Sequence, residues 1–148
     1  MATRTARTAW NGSLMEGSGQ VELSSSKLGT YQVSWAKRTS EAADGTTSPE
    51  ELIAAAHSSC FSMAFSGALT KAGGTVRSLD VTADVGFGPD EARGGFMITA
   101  IHLTVRGEVE GIDEAAFQEA AEGAKAGCPV SKALAGVPDI TLDATLER

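Results

Sequence analysis

Along the first third of the chain, apolar positions alternate with polar ones. Val21 and Leu23 interleave with Glu22 and Ser24, and Tyr31, Val33 and Trp35 interleave with Gln32 and Ser34. A period of two marks half-exposed strands, so this region reads as short strands. A polar stretch at 38–47 follows, punctuated by Gly45. The period then changes. Ser48 is a good N-cap, Pro49 suits the first helical position, and Glu51 stands where a Ser-x-x-Glu capping box needs it. The helix so opened runs to about residue 72 and stops at Gly73-Gly74. From Leu52 to Leu69 its only ionisable groups are His57 and Cys60. A helix this apolar all round is expected to be buried on most of its surface. Its many Ala, Ser and Gly residues allow a second helix or a partner chain to approach closely.

Two longer strands come next. Val81, Ala83, Val85 and Phe87 face one way, with Asp80, Thr82 and Asp84 opposite. A turn over 88–95 leads to Met97, Ile101, Leu103, Val105 and Val109. A second helix is predicted over 114–126, capped by Asp113 and closed by Gly127. Pro129 opens a short helix that ends near Gly136, and Ile140, Leu142, Ala144 and Leu146 alternate in a closing strand. Half-exposed strands on either side of long helices predict an α+β fold with mainly antiparallel pairing.

Length and composition narrow the picture. The 148 residues argue for a single domain over 1–148. Hydrophobic content of 42% and charged content of 21% are those of an ordinary soluble globule. A net charge of -7 counts against nucleic acid as a partner, because phosphate neutralisation needs clustered Lys and Arg. No run of about 18 or more uncharged apolar residues reads as a membrane span. The first ten residues lack the apolar centre of a signal peptide, and their Arg and Thr only faintly resemble a transit peptide. The expected compartment is the cytoplasm, where a permanent disulfide is not expected. The two cysteines are therefore read as free, metal-bound or catalytic.

Cys60 lies in the apolar run His57-Ser-Ser-Cys-Phe-Ser-Met63. Free cysteine is among the most buried residue types, so simple packing is one reading. A reactive role needs help in forming thiolate, since a free thiol titrates near about 8.5. His57, three residues earlier, shares a helix face with Cys60. It is open to three roles: activator, metal ligand or hydrogen-bonded core residue. Cys128 lies in Lys125-Ala-Gly-Cys-Pro-Val-Ser131, where it caps the helix that Pro129 opens. Partial positive charge at a helix N-terminus favours thiolate. Local physics thus picks Cys128 as the easier thiol to ionise. His57, Cys60 and Cys128 also offer three zinc ligands. There is no Cys-x-x-Cys pair, though, and His102 lies in a strand, so a fourth ligand is missing. Glu51 is accounted for by capping, whereas Glu50 is free to act elsewhere. Arg38, in the polar stretch, would stabilise a Cys60 thiolate if the fold brings it near.

The segment Thr47-Ser-Pro-Glu-Glu-Leu-Ile-Ala-Ala-Ala-His-Ser-Ser-Cys-Phe-Ser-Met-Ala-Phe65 closely resembles the signature of the OsmC/Ohr family. Ala124-Lys-Ala-Gly-Cys-Pro-Val-Ser-Lys132 resembles its second cysteine motif. The likeness extends from Trp10-Asn-Gly12 to Ile140-Thr-Leu-Asp143, and the wording is nearer the OsmC branch than the Ohr branch. What the resemblance implies is an OsmC-like fold, with antiparallel sheets around long central helices in an intertwined homodimer. It implies a thiol-dependent peroxidase that reduces organic hydroperoxides, and hydrogen peroxide more weakly. Cys60 would attack the peroxide and Cys128 would resolve the sulfenic acid as a disulfide. Arg38 would stabilise the thiolate and Glu50 would hold Arg38, with Lys37 and Arg4 as substitutes for Arg38. No metal, flavin or haem is implied. The reductant would be an external dithiol, a lipoylated protein being the family's expectation. On this reading the family order overrides the local preference for Cys128.

Glu50 and Cys60 are ten residues apart, about 15 Å along a straight helix. Glu50 is therefore expected either to reach the Cys60 of a partner chain or to be separated from its own by a kink. Phe61, Met63 and Phe65 are read as core or as the lining of an apolar peroxide pocket. Two other functions stay in play: a non-catalytic redox-sensing or small-ligand-binding stress protein, and a zinc-binding dimer.

Overall fold

The alternating residues of the first third pair into a small sheet. In the computed structural model, which describes residues 1–147, β1 (Arg7–Asn11), β2 (Ser18–Glu22) and β3 (Thr30–Val33) form an antiparallel sheet in that order. Val21 is buried between Thr8 and Tyr31, its partners in the register. The predicted alternation through Trp35 does not hold as strand. Ser34 instead caps a short helix, α1 (Trp35–Arg38), its hydroxyl accepting from the Lys37 N–H at 3.2 Å. A serine able to satisfy an orphan helical N–H outweighs one further apolar–polar alternation. Asp44 and Gly45 then turn the chain with positive φ, 49° and 80°.

The helix predicted from Ser48 is α2 (Pro49–Lys71). The Ser48 hydroxyl accepts from the Glu51 N–H at 3.1 Å, and the Glu51 carboxylate takes the Thr47 hydroxyl. Its far end is a Schellman closure. Gly74 N–H reaches Leu69 C=O at 2.9 Å, Gly73 N–H reaches Thr70 C=O at 3.0 Å, and Gly73 adopts φ 96°. The chain divides into two compact units at Leu52 and Ile53, so the first turn of α2 belongs to the first unit and the rest to the second.

The second unit carries β4 (Thr75–Pro89), β5 (Phe96–Glu110), α3 (Glu114–Gly127), α4 (Pro129–Ala133) and β6 (Ile140–Glu147). Strands β4 and β5 form a long antiparallel hairpin, irregular near Val76 and Val85. Asp113 caps α3 by accepting the Ala116 N–H at 2.8 Å. Strand β6 runs parallel to β5, which qualifies the expectation of mainly antiparallel pairing. The segment between them holds two helices and is long enough for the crossover that a parallel pair requires. The other three strand pairs are antiparallel, and the class is α+β as expected.

The core of this unit is built on a four-residue repeat along α2. His57, Phe61, Phe65 and Leu69 are all 0% exposed. Phe61, Phe65 and Leu69 meet Leu103 and Val105 of β5 and Phe117 and Ala121 of α3 in one cluster. Phe65 stands between Phe61 and Phe117, with ring centroids 5.4 and 5.1 Å away. Two expectations change here. Beyond its first turn, only that stripe of α2 is buried within this chain, while Ala55, Ala56, Ser59, Met63 and Gly67 are exposed. And α2 is itself long and apolar enough to cross a membrane by length and composition, although no such stretch was expected. Its deepest side chains are engaged in the protein core instead.

Candidate active site

In the first unit, Arg38 and Glu50 form an ion pair with more than one hydrogen bond. Arg38 Nη2 donates to Glu50 Oε1 at 2.7 Å and Nε donates to the same oxygen at 3.0 Å. Arg38 is the last residue of α1, and Glu50 stands in the first turn of α2. Glu50 is buried, 8% exposed, so its carboxylate has exchanged water for the guanidinium. Lys37 pairs with Asp44 at 2.7 Å, and Arg4 donates to the Thr3 carbonyl.

In the second unit, α2 and the start of α4 bring the two cysteines together from 68 residues apart, Sγ to Sγ 3.0 Å. Both are free thiols. They differ in access: Cys60 is partly exposed, whereas Cys128 is 0% exposed. Cys128 is the backbone cap of α4, as predicted, with Pro129 in the first turn. Its sulfur closes no side-chain cap hydrogen bond. It nevertheless feels the donors of that helix end.

The two thiols are driven in opposite directions. Burial pushes the Cys60 thiol up, and the Cys128 thiol beside it adds to that. Burial also acts upward on Cys128. Its hydrogen bond with Cys60, the Ser131 N–H and hydroxyl, and the Val130 N–H outweigh that and hold it below its ordinary value. Sulfurs 3.0 Å apart share their protons, so the pair ionises as a unit, with its first charge favoured on Cys128. That is the ordering local sequence physics gave.

His57 sits one turn before Cys60 and is fully buried. Its Nε2 lies 2.7 Å from Ser131 Oγ, and its Nδ1 is buried with no hydrogen-bond partner. Burial lowers its pKa, so the ring is neutral at pH 7. Among the described residues, no three of His, Cys, Asp and Glu converge as a metal-ligand set. The zinc trio read from the sequence is instead a cysteine pair and a histidine bonded to serine.

Ser131 is the residue the sequence reading missed. The usable signal was its place three residues beyond Cys128, in the short helix that Pro129 opens. Of the residues read as core or pocket lining, Phe61 and Phe65 are closed within the core. Met63 is 75% exposed on the opposite side of α2.

A family model described as OsmC-like protein matches residues 42–143, which span both cysteines and Glu50. The chain is 44% identical over 138 residues to Peroxiredoxin OsmC of Escherichia coli, covering 93% of this chain and 92% of that one. It is 35% identical over 100 residues to the organic hydroperoxide resistance protein OhrA of Bacillus subtilis, covering 66% of each. The fold is similar to an organic hydroperoxide resistance protein from Elizabethkingia anophelis. That similarity has a TM-score of 0.79 at 27% identity over 99% of this chain and 98% of the other.

Proposed function

The chain belongs to the OsmC-like protein family, and on that premise we propose that it is a thiol-dependent peroxidase acting on organic hydroperoxides and more weakly on hydrogen peroxide. The observation that carries this reading is the pair of sulfurs 3.0 Å apart, one partly exposed and one fully buried. A peroxide arriving from solvent meets Cys60 first. The Cys60 thiolate forms an S–O bond to one peroxide oxygen as the O–O bond breaks. The alkoxide leaves and takes a proton, so sulfur is oxidised by two electrons and the peroxide is reduced to an alcohol. Cys128 then attacks the Cys60 sulfenic acid. An S–S bond forms, the S–O bond breaks and water leaves. The sulfurs need to approach by only about 1 Å to reach the bond length of about 2.05 Å.

The preference for charge on Cys128 does not exclude attack by Cys60. Proton transfer across the 3.0 Å contact moves the thiolate to the exposed sulfur, and a nearby guanidinium would hold it there. Arg38, held by Glu50, is assigned that task. In a straight helix, ten residues would span about 15 Å, too far for Glu50 to serve the Cys60 of its own chain. The Arg38–Glu50 pair is assigned to the Cys60 of a second copy in a homodimer. The exposed Ala55, Ala56, Ser59, Met63 and Gly67 face of α2 supports close packing between copies. The reductant is an external dithiol, of which a lipoylated protein is the proposed source, and the proposed compartment is the cytoplasm. The whole chain is taken to work as a single domain.

Steady-state turnover of tert-butyl hydroperoxide and hydrogen peroxide with dihydrolipoamide tests this, for wild type and for Cys60→Ser and Cys128→Ser. The expected result is turnover by wild type only, with single-turnover reduction surviving in Cys128→Ser. Slow stoichiometric oxidation without turnover in wild type would instead favour a redox-sensing protein.

A further inference from the structure

Helix α4, which carries Cys128 at its mouth, buries no apolar side chain of its own. It is five residues long, and Ser131 is its buried residue. Pro129, Lys132 and Ala133 are exposed and Val130 is half-buried. What Ser131 meets is polar too: its Oγ lies 2.7 Å from Nε2 of His57 on α2. This pair is sealed, with His57 0% and Ser131 7% exposed. The cysteines join the same two elements at 3.0 Å. His57 lies three residues before Cys60, and Ser131 three residues after Cys128, so the two contacts sit side by side, about one turn apart. The peroxidase reading leaves His57 and Ser131 without a task.

A polar pair here is a poor way to gain stability. Burial strips the imidazole and the hydroxyl of water, and one hydrogen bond returns only part of that. Nδ1 of His57 stays buried without a partner. The ring proton therefore belongs on Nε2, since on Nδ1 it would be a buried N–H with no acceptor. The Nε2–H donates to Ser131 Oγ. Two apolar side chains would fill the same space and leave no orphan. What they would lack is direction. A hydrogen bond fixes both distance and angle, whereas apolar surfaces slide past one another at little cost. The best-attested use of polar groups in a core is to fix register. The register fixed here is that of α4 on α2, and Cys128 travels with α4.

We propose that the His57–Ser131 hydrogen bond is a latch that seats α4 on α2 and so holds Cys128 at closing distance from Cys60. This rests on the reading of the two cysteines as attacking and resolving thiols. Closure joins the Cys128 sulfur to the Cys60 sulfenic sulfur as water leaves, and from 3.0 Å it asks for little movement. With the latch made, Cys128 waits at contact distance. With it broken, α4 spends part of its time away, and the effective concentration of one sulfur at the other falls. A Cys60 sulfenic acid that waits longer is open to a second hydroperoxide. That oxidises it to sulfinic acid, while the hydroperoxide is reduced to its alcohol. His57 and Ser131 act here as positioning residues; the reacting atoms are the two sulfurs and the peroxide oxygens.

The first readout needs no peroxide. Wild type, Ser131→Ala, His57→Leu, the double variant and His57→Gln are equilibrated in dithiothreitol redox buffers. The fraction holding the Cys60–Cys128 disulfide is read by thiol alkylation and intact mass. Breaking the latch is expected to lower the disulfide equilibrium constant by up to about tenfold, which is about 30 mV for this two-electron couple. His57→Gln keeps an N–H donor and should stay near wild type. The double variant separates positioning from stability, and it serves should Ser131→Ala fail to fold. Having no orphaned polar group, it is expected to regain the urea stability that Ser131→Ala loses, yet not the disulfide constant. Under excess tert-butyl hydroperoxide, the variants without the latch should gather several-fold more Cys60 sulfinic acid than wild type. A wild-type disulfide constant in the double variant overturns the proposal, as does a constant that merely follows urea stability across the set. A wild type that forms the disulfide and responds to these substitutions, but does not turn over peroxide, would sink the peroxidase reading and leave the latch standing. A wild type that forms no such disulfide sinks both.

Discussion

The sulfurs of Cys60 and Cys128 lie 3.0 Å apart, yet only Cys60 reaches solvent. On the proposed mechanism, that asymmetry makes Cys60 the attacking thiol and Cys128 the resolving one. After one equivalent of peroxide, Cys128→Ser should carry a sulfenic acid at Cys60, visible by intact mass as one dimedone adduct. Wild type should lose two thiols and give no adduct. An adduct at Cys128 in Cys60→Ser, formed at the wild-type rate, would reverse the roles.

The Arg38–Glu50 pair should matter more to activity than to folding. Glu50→Gln keeps the shape but removes the charge that fixes the guanidinium. With Arg38 still 29% exposed at its side chain, the stability loss should fall near about 1 kcal/mol, below the range for fully buried pairs. kcat/KM for tert-butyl hydroperoxide should fall about tenfold or more. Arg38→Lys should not rescue it, because an ammonium cannot copy the guanidinium fork that both Nε and Nη2 present to Glu50. Wild-type kinetics in Glu50→Gln would leave the pair a structural role only.

Phe65 anchors the core between Phe61 and Phe117 at 0% exposure. Phe65→Ala should cost about 3–5 kcal/mol in urea unfolding, from lost burial and the cavity left behind. Phe65→Leu should cost markedly less. Equal losses for the two would mean that the site collapses around the gap.

His57 gives stability an acid limit. Burial holds its pKa below the ordinary 6.5. Above 6.5 the ring is neutral in both the folded and the unfolded chain. Below 6.5 the unfolded chain binds a proton that the folded chain does not, so stability falls with pH across the window down to the folded value. The slope from one such group is at most about 1.4 kcal/mol per pH unit. Urea midpoints between pH 7 and 5 should therefore fall less steeply for His57→Gln than for wild type. Parallel curves would show His57 protonating freely in the fold.

Much of the architecture could be read from local signals, because local physics enforces them. Ser48, Pro49 and the Gly73-Gly74 pair bound α2 because a helix must satisfy its terminal N–H and C=O groups wherever it sits. Asp113 did the same for α3. Trp35 was misread because the alternating pattern outran the capping signal of Ser34. The parallel placement of β6 left no local trace, since its period of two is the same beside either neighbour direction.

The candidate site divides along the same line. The sequence by itself marked the candidate residues: two cysteines, one on an apolar helix and one at a helix mouth, and, through the family resemblance, Arg38 and Glu50. It also favoured Cys128 as the easier thiol to ionise, because a helix N-terminus is a property of a few consecutive residues. Tertiary structure alone decided that the two sulfurs touch, that Cys60 is the exposed one, and that His57 finds Ser131 across 74 residues of chain. Those relations depend on how α2 packs against α4. Packing is set by the whole core, from Phe61 to Phe117, and no short window of sequence contains it.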